Sequence, residues 1–123
     1  MTVNIMTFGD YEFHALTYRM AEGIGPGYPG RGSISGLSYA ALGIAGEAGE
    51  FADKVKKILR DSNGQISSEA RVAMLKELGD VMWYLTAAAQ ELQSDLRHVA
   101  QINLDKVTER DSRGTVRGSG DDR

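Results

Sequence analysis

Four carboxylates are arranged as two pairs, placed symmetrically about a turn signal. The turn signal is Asn63–Gly64, and the pairs, each with i,i+3 spacing, are Glu47/Glu50 and Glu77/Asp80. Residues three apart lie on the same face of a helix. If two helices fold back on each other at this turn, Glu47 comes level with Asp80. The same register places Glu50 opposite Glu77, so we predict that four acids face one another.

Four acids that face each other across a helical hairpin repel unless a cation lies between them. Ligands that are all oxygen favour Mg²⁺, Mn²⁺ or Ca²⁺ over zinc or copper. The alternating acids of a calcium loop are absent, and neither His14 nor His98 stands at i,i+3 or i,i+4 from any of the four acids, as a di-iron bundle would require. We therefore predict Mg²⁺, with Mn²⁺ as a substitute. Mg²⁺ held by few carboxylates usually keeps waters and binds phosphates, which indicates phosphate-ester or anhydride chemistry.

The alternative is that the acids belong to solvated helix faces. Acids make up 17 of 123 residues, so a single pair at i,i+3 occurs readily by chance. The argument for a site depends on the symmetry of the two pairs and on their apolar and small neighbours, where a solvated face would interleave lysines. Four glycines lie among these neighbours, and we expect them to allow close approach of the helix backbones: Gly43, Gly46, Gly49 and Gly79.

Four helices and no strands are predicted, which gives an all-α fold. The first follows Asp10 as N-cap and runs to about Glu22, and the second spans about Gly36 to Leu59. The third begins near Ser67 or Ser68, with Glu69 in its first turn. In the fourth, Ser94 caps a helix from Asp95 to about Glu109.

The chain is read as one domain, residues 1–123. It divides into an N-terminal helix with a Gly-rich loop (1–35), a metal-binding helical hairpin (36–93), and a fourth helix with a tail (94–123). The third helix has an apolar seam, which we call the leucine seam: Leu75, Leu78, Met82, Leu85, Ala89 and Leu92. Its acids lie on a different face. A helix that is apolar on two sides is expected to pack against several neighbours, which predicts a homodimer or homotetramer.

Composition excludes several classes of protein. There is no Cys, so disulfides and thiolate metal sites are excluded. No signal peptide is recognised, and the longest apolar stretch, Val81–Ala89, is far shorter than a bilayer span requires. We expect a cytoplasmic protein without a membrane partner. The net charge of −3 gives no electrostatic footprint for a nucleic acid polymer.

Phosphate binding would need cations near the acids. Asn103, Lys106 and Arg110 follow one another at i, i+3 and i+7, so one face of the fourth helix presents three donors. Cations near a helix C-terminus are also favoured by the helix dipole alone. Lys54 and Lys57 either bind phosphate or form the solvated end of the second helix. The Gly- and Arg-rich tail, residues 113–123, is either a charged end or an anion-binding curl of backbone.

Several of these segments resemble one family. The run GLSYAALGIAGEAGEFADKVKK followed by KELGDVMWYL resembles the MazG-like, all-α nucleotide pyrophosphohydrolases. The four acids fill that family's E-x-x-E and E-x-x-D motif, and Asn103, Lys106 and Arg110 match its N-x-x-K-x-x-x-R segment. The tail RGTVRGSGDDR is similar to the tails of small, stand-alone, often phage-borne members.

The resemblance implies Mg²⁺-dependent hydrolysis of a nucleoside triphosphate to monophosphate and pyrophosphate, through attack of water on the α-phosphorus. It makes all four acids metal ligands. From its central position among them we take Glu50 as the candidate for water activation, with Glu47, Glu77 and Asp80 mainly ligands. For a phage-encoded member, it implies action in the host cytoplasm. Residues expected to bind substrate are Lys54, Lys57, Asn103, Lys106, Arg110, Arg117 and Arg123 for the phosphates, and Trp83 and Tyr84 for the base. The two aromatic residues are also compatible with a purely structural role.

Two other functions fit the same residues. One is a helical interaction module that binds Mg²⁺ or a nucleotide without turnover. The other is a hydrolase of the same architecture that acts on another diphosphate, such as a phosphoribosyl-nucleotide or an alarmone. Base and sugar preference are not readable from the motifs, although the loosely matching first 35 residues are where base selectivity could lie.

Overall fold

The computed structural model describes residues 7–21 and 34–114, with side chains described for 7–16 and 36–114. These ranges contain only helices: α1 (Phe8–Ala21), α2 (Ile34–Asp61), α3 (Ser68–Glu91) and α4 (Leu96–Ser112). The predicted all-α architecture with four helices is confirmed. None of the helices in these ranges is long and apolar enough to cross a membrane.

The turn between α2 and α3 is built by Asn63 and Gly64. Their φ angles are 49° and 77°, in the left-handed region that these two residue types adopt most readily. The N–H of Gly64 donates to the carbonyl of Ile58 at 3.2 Å, and the N–H of Ser62 donates to the same oxygen at 3.0 Å. These hydrogen bonds satisfy a carbonyl group at the C-terminal end of α2, where the chain reverses. The predicted turn is therefore confirmed.

Two contacts fix the register of the hairpin. The ring of Tyr84 lies against Gly43, and the carboxylate of Glu91 lies against Gly36. In each contact the glycine precedes Asn63 by as many positions as its partner follows Gly64. The register is thus symmetrical about the turn, as the spacing of the acids predicted.

The face of α3 that packs on α2 is the one that carries the acids, as predicted, and not the leucine seam. Four large residues of the seam are between 40% and 63% exposed: Leu75, Leu78, Leu85 and Leu92. The α2–α3 contact instead uses small residues such as Ala40, which is fully buried, and Gly43. Periodicity identifies the most apolar face, whereas close approach of two helices requires small side chains.

Two predicted N-caps are wrong by a few residues. In α1, Asp10 belongs to the first turn and forms a reciprocal pair with Thr7: its carboxylate accepts from the Thr7 N–H at 2.9 Å, and its own N–H donates to Thr7 Oγ1 at 3.2 Å. In α4 the cap is Asp95, whose Oδ1 accepts from the N–H of His98 at 2.7 Å, while Ser94 Oγ contacts the His98 ring. Each correction exchanges one good capping residue for another close by. For α3, the Ser67 cap is as predicted, with Oγ accepting from the Ala70 N–H at 3.1 Å.

Helices α1 and α4 are joined to each other and to α3. The backbone N–H of Leu96, at the start of α4, donates to Glu12 Oε1 of α1 at 2.7 Å. A cavity of about 500 Å³ lies among the three helices, with Phe8 and Leu96 on its walls and leucine-seam residues on the α3 side. Only five apolar side chains are buried among the residues described: Ala15, Ala40, Ala87, Ala89 and Leu96. The core that this chain forms by itself is therefore small.

Candidate metal centre

Three of the four predicted metal ligands come together between α2 and α3. One carboxylate oxygen from each of Glu47, Glu77 and Asp80 lies within 4.8 Å of the other two. The i,i+3 spacing puts Glu77 and Asp80 on one face of α3, and the symmetrical register brings Glu47 of α2 opposite them. Glu47 and Glu77 are half-buried, and Asp80 is exposed.

The carboxylates repel one another. The pKa of Glu47 is raised above its ordinary value, first because partial burial disfavours the charged form, and then because of the negative charges of Glu50, Asp80 and Glu77. A divalent cation placed among these oxygens would reverse both effects. The donor set is oxygen only within the described part of the chain, which fits Mg²⁺ or Mn²⁺. The residues present therefore fit the predicted ion.

Glu50 occupies a different position from the other three acids. Its side chain is exposed and does not belong to the group within 4.8 Å. It is still near enough for its charge to contribute to the raised pKa of Glu47, one helical turn away. Glu50 therefore lies beside the three-carboxylate cluster, at a place that solvent reaches.

A cross-helix ion pair links the cluster to a lysine. Lys54 Nζ lies 3.0 Å from Glu77 Oε1, and the Glu77 side chain is only 12% exposed. The sequence predicts Lys54 as a phosphate ligand or as part of the solvated end of α2, and it does not predict this pairing with an acid of the other helix. Sequence spacing reveals pairs within one helix. The symmetrical register could have revealed this one, because it sets Lys54 opposite Ala73, one turn from Glu77.

Aromatic side chains stand beside the carboxylates. Trp83 and Tyr84 line a cavity of about 290 Å³ together with Glu47 and Asp80. The two rings meet edge to face, with centroids 5.0 Å apart. Their predicted contact with a base stays a prediction.

Two further tyrosines were missed as site residues. Tyr39 lies with its ring centroid 6.2 Å from that of Tyr84, and the hydroxyls of the two residues are hydrogen-bonded. Burial, the Tyr39 contact and the charges of the nearby acids raise the pKa of Tyr84, which keeps its phenol protonated. The pKa of Tyr11 in α1 is raised by burial and by Asp80. The only sequence signal for Tyr11 is that the first helix contains two tyrosines, Tyr11 and Tyr18.

The predicted role of the glycines is correct at one position of four. A Cβ on Gly43 would fall 2.2 Å from the Tyr84 ring, so this glycine permits a close contact. A Cβ on Gly46, Gly49 or Gly79 would meet nothing within 4 Å. No close contact in the described structure therefore requires glycine at these three positions.

The remaining predicted phosphate ligands are dispersed. Lys57 Nζ lies 2.6 Å from Asp53 Oδ2, and this ion pair is on the exposed side of α2. Asn103 lines the cavity among α1, α3 and α4, on a different face of α3 from the acids. Lys106 is half-buried and Arg110 is 7% exposed. Their contact with phosphate stays a prediction.

Some predictions fall outside the described residues. Arg117 and Arg123 lie there, together with the rest of the tail after Gly114. Of the first 35 residues, where base selectivity is expected, residues 1–6 and 22–33 also lie outside them, and only the backbone is described for 17–21 and 34–35.

Comparison with known proteins agrees with the geometry. The model of the MazG nucleotide pyrophosphohydrolase domain matches residues 37–115, a range that contains all four acids and α4. The chain is 50% identical over 113 residues to the Gene 37 protein of Mycobacterium phage L5, and the match covers 89% of this chain and 99% of that protein. No solved structure is found to match the chain.

Proposed function

Because this chain belongs to the MazG nucleotide pyrophosphohydrolase family, we propose that it hydrolyses a nucleoside triphosphate to the monophosphate and pyrophosphate in a Mg²⁺-dependent reaction. The observation that carries the proposal is the cluster of three carboxylates, whose oxygens lie within 4.8 Å of one another. Glu47, Glu77 and Asp80 would hold the ion. When bound, the ion would offset the charge of the substrate phosphates and polarise them.

Glu50 is proposed as the group that activates water. It lies one turn from Glu47 on the same helix, is exposed, and does not belong to the close cluster. A carboxylate in that position can accept a proton from water while the neighbouring acids hold the metal. The water oxygen then bonds to the α-phosphorus, the bond from that phosphorus to the bridging oxygen breaks, and pyrophosphate leaves with the electron pair.

The aromatic residues are proposed to hold the nucleoside. Trp83 and Tyr84 line the cavity that Glu47 and Asp80 also line, so a base placed there has its phosphates directed to the acids. Stacking on an aromatic ring stabilises a bound base, and the stabilisation depends little on which polar groups the base carries. Tyr39 would steady Tyr84 through the hydroxyl contact. The predicted ligands of α4, Lys106 and Arg110, remain part of the proposal on the basis of the family motif.

The oligomer is also part of the proposal. A chain that exposes most of its leucine seam and buries few apolar side chains among its described residues has much to gain from a second copy. We propose a homodimer or homotetramer in which the leucine seam is covered. The phage relative fits an enzyme that acts in the host cytoplasm, where nucleotides are abundant.

The direct test is release of pyrophosphate from a panel of canonical and modified nucleotides, with and without Mg²⁺. In ¹⁸O-labelled water, attack on the α-phosphorus places the label in the monophosphate.

Glu50→Gln should lose most of the turnover while keeping the fold, whereas Glu109→Gln, at an exposed site on α4, serves as the matched control. Release of orthophosphate, or full activity in Glu50→Gln, would contradict the mechanism. Binding without turnover of any nucleotide would favour the interaction module, and turnover only of a phosphoribosyl-nucleotide or an alarmone would favour the related hydrolase.

A further inference from the structure

A second cavity adjoins the carboxylate cluster on the side nearer the hairpin turn. It has a volume of about 480 Å³, and its walls include Lys54 of α2 and Lys76 and Glu77 of α3. We call it the lysine cavity. Glu77 belongs both to this cavity and to the carboxylate cluster, so the two are direct neighbours.

Lys54 stands between the two sites. Its ammonium group lies 3.0 Å from Glu77 Oε1, and 34% of its side chain is exposed. A divalent ion held by the carboxylates would compete with Lys54 for the charge of Glu77, because a double charge at ligand distance attracts an oxygen more strongly than an ammonium does. Lys54 would then be able to direct its charge into the cavity that it already lines.

The chemistry differs between the two sides of the carboxylate cluster along α3. Trp83 and Tyr84 lie at the end farther from the turn, and the lysine cavity lies at the nearer end, with the carboxylates between them. Along α3, Tyr84 and Lys76 are eight residues apart, which corresponds to roughly 12 Å. Two aromatic rings lie on one side of the metal site, and two lysines, accompanied by Glu69 and Glu77, lie on the other. The rings suit the base of a nucleoside triphosphate, and the lysines suit its terminal phosphates.

We propose that the lysine cavity binds the β- and γ-phosphates of the substrate, and hence the pyrophosphate that leaves. This inference rests on the proposed function and adds a direction to it: the base lies toward Trp83 and the triphosphate runs toward the turn. When the bond to the α-phosphorus breaks, negative charge develops on the bridging oxygen of pyrophosphate. Lys54 and Lys76 stabilise that charge. Glu69, which also lines the cavity, opposes it.

The first test measures binding of inorganic pyrophosphate by calorimetry in the presence of Mg²⁺. Lys76→Met should weaken binding about tenfold, the equivalent of one charge-assisted hydrogen bond. Glu69→Gln should strengthen it, because a repulsive charge is removed. Lys56→Met is the matched control, since Lys56 pairs with Asp53 on the exposed side of α2 and should leave binding unchanged. Equal affinities for the wild type and Lys76→Met, or an equal loss in Lys56→Met, would overturn the proposal.

The second test uses Lys54 and separates a phosphate role from a structural one. Lys54→Met should bind Mn²⁺ more tightly, because a competing cation is removed from Glu77, and should bind pyrophosphate less tightly. A lysine that only holds the fold together would lower both affinities, and that result would count against the proposal. Both tests measure binding and need no turnover. If pyrophosphate binding depends on Lys76 but no nucleotide is hydrolysed, the lysine cavity stands and the proposed function fails; the reverse result removes only the lysine cavity.

Discussion

The ring of Tyr84 lies directly against the backbone of Gly43, so close that a Cβ on the glycine would fall 2.2 Å from a ring carbon. This contact places the tyrosine beside Glu47 and Asp80 and lets its hydroxyl meet that of Tyr39. The absence of a side chain at Gly43 is therefore what positions the aromatic wall of the candidate site.

The first prediction is that Gly43→Ala displaces Tyr84 and damages the site. The ring is rigid and the added methyl lies over it, so we expect overpacking to cost about 1–3 kcal/mol in the free energy of unfolding. The KM for the nucleotide should rise. Thermal unfolding and steady-state kinetics measure the two effects.

The control for that prediction is Gly46→Ala, at a position where a Cβ meets nothing within 4 Å. Alanine is a better helix former than glycine, so this variant should gain about 0.5–1 kcal/mol in stability and keep its KM. If both alanine variants behave alike, the Gly43–Tyr84 contact has no special role.

The sequence was sufficient to predict the helices, the turn and the register, because each depends on local chemistry. Asn63 and Gly64 readily adopt the left-handed backbone conformation, which locates the turn. Once the turn is located, the positions of the acids relative to it give the register of the hairpin. The partners of each face were less predictable. Leu78 belongs to the most apolar stripe of α3, yet it is 46% exposed, because periodicity does not say which surface covers a stripe. The Lys54–Glu77 pair joins two helices, so the spacing within either helix does not show it, and it follows only from the register of the hairpin.

A second prediction concerns the order of the metal ligands. Because Glu50 stands outside the close group of carboxylates, Glu50→Gln should weaken Mn²⁺ binding less than Glu47→Gln, Glu77→Gln or Asp80→Asn do. Loss of a direct ligand should lower metal affinity by about tenfold or more. Glu50→Gln should instead lose turnover. Calorimetric titration with Mn²⁺ checks the order, and a Glu50 variant that binds metal most weakly of the four would contradict it.

A third prediction follows from the raised pKa of Glu47. Folding favours the protonated form of this residue, so its contribution to stability is fully present below the ordinary pKa of 4.5 and is lost as pH rises through the higher value in the folded chain. At neutral pH without metal, Glu47→Gln should therefore unfold at a higher temperature than the wild type. The difference should vanish in acid.

Addition of Mg²⁺ provides the counterpart of that experiment. The wild type should gain stability from the ion at neutral pH because binding favours the folded state, and Glu47→Gln should gain much less. Thermal unfolding across pH, with and without Mg²⁺, measures both effects. A metal-free Glu47→Gln protein that is less stable than the wild type at neutral pH would show that the carboxylates do not repel one another.

A fourth prediction separates folding from function at the open end of the hairpin. Glu91 is 4% exposed, and its carboxylate lies against Gly36 in the first turn of α2, where the helix dipole favours an anion. Glu91→Ala should lower the free energy of unfolding by about 1–3 kcal/mol. Because Glu91 is two turns from Tyr84, the affinity for Mn²⁺ should not change. Glu109→Ala, at an exposed position, is the control for stability.

The last prediction concerns the leucine seam of α3. Leu75 is 60% exposed in the single chain. Exposing apolar side chains to water costs free energy, and a second copy that covered the seam would remove this cost. If the seam is an interface between copies, Leu75→Glu places a charge in it and should shift the assembly toward the monomer. Leu42→Glu is the control, because Leu42 is 75% exposed and lies on α2, outside the leucine seam. Light scattering coupled to size exclusion across micromolar concentrations measures the mass, and a wild type that is monomeric throughout would refute the covered seam.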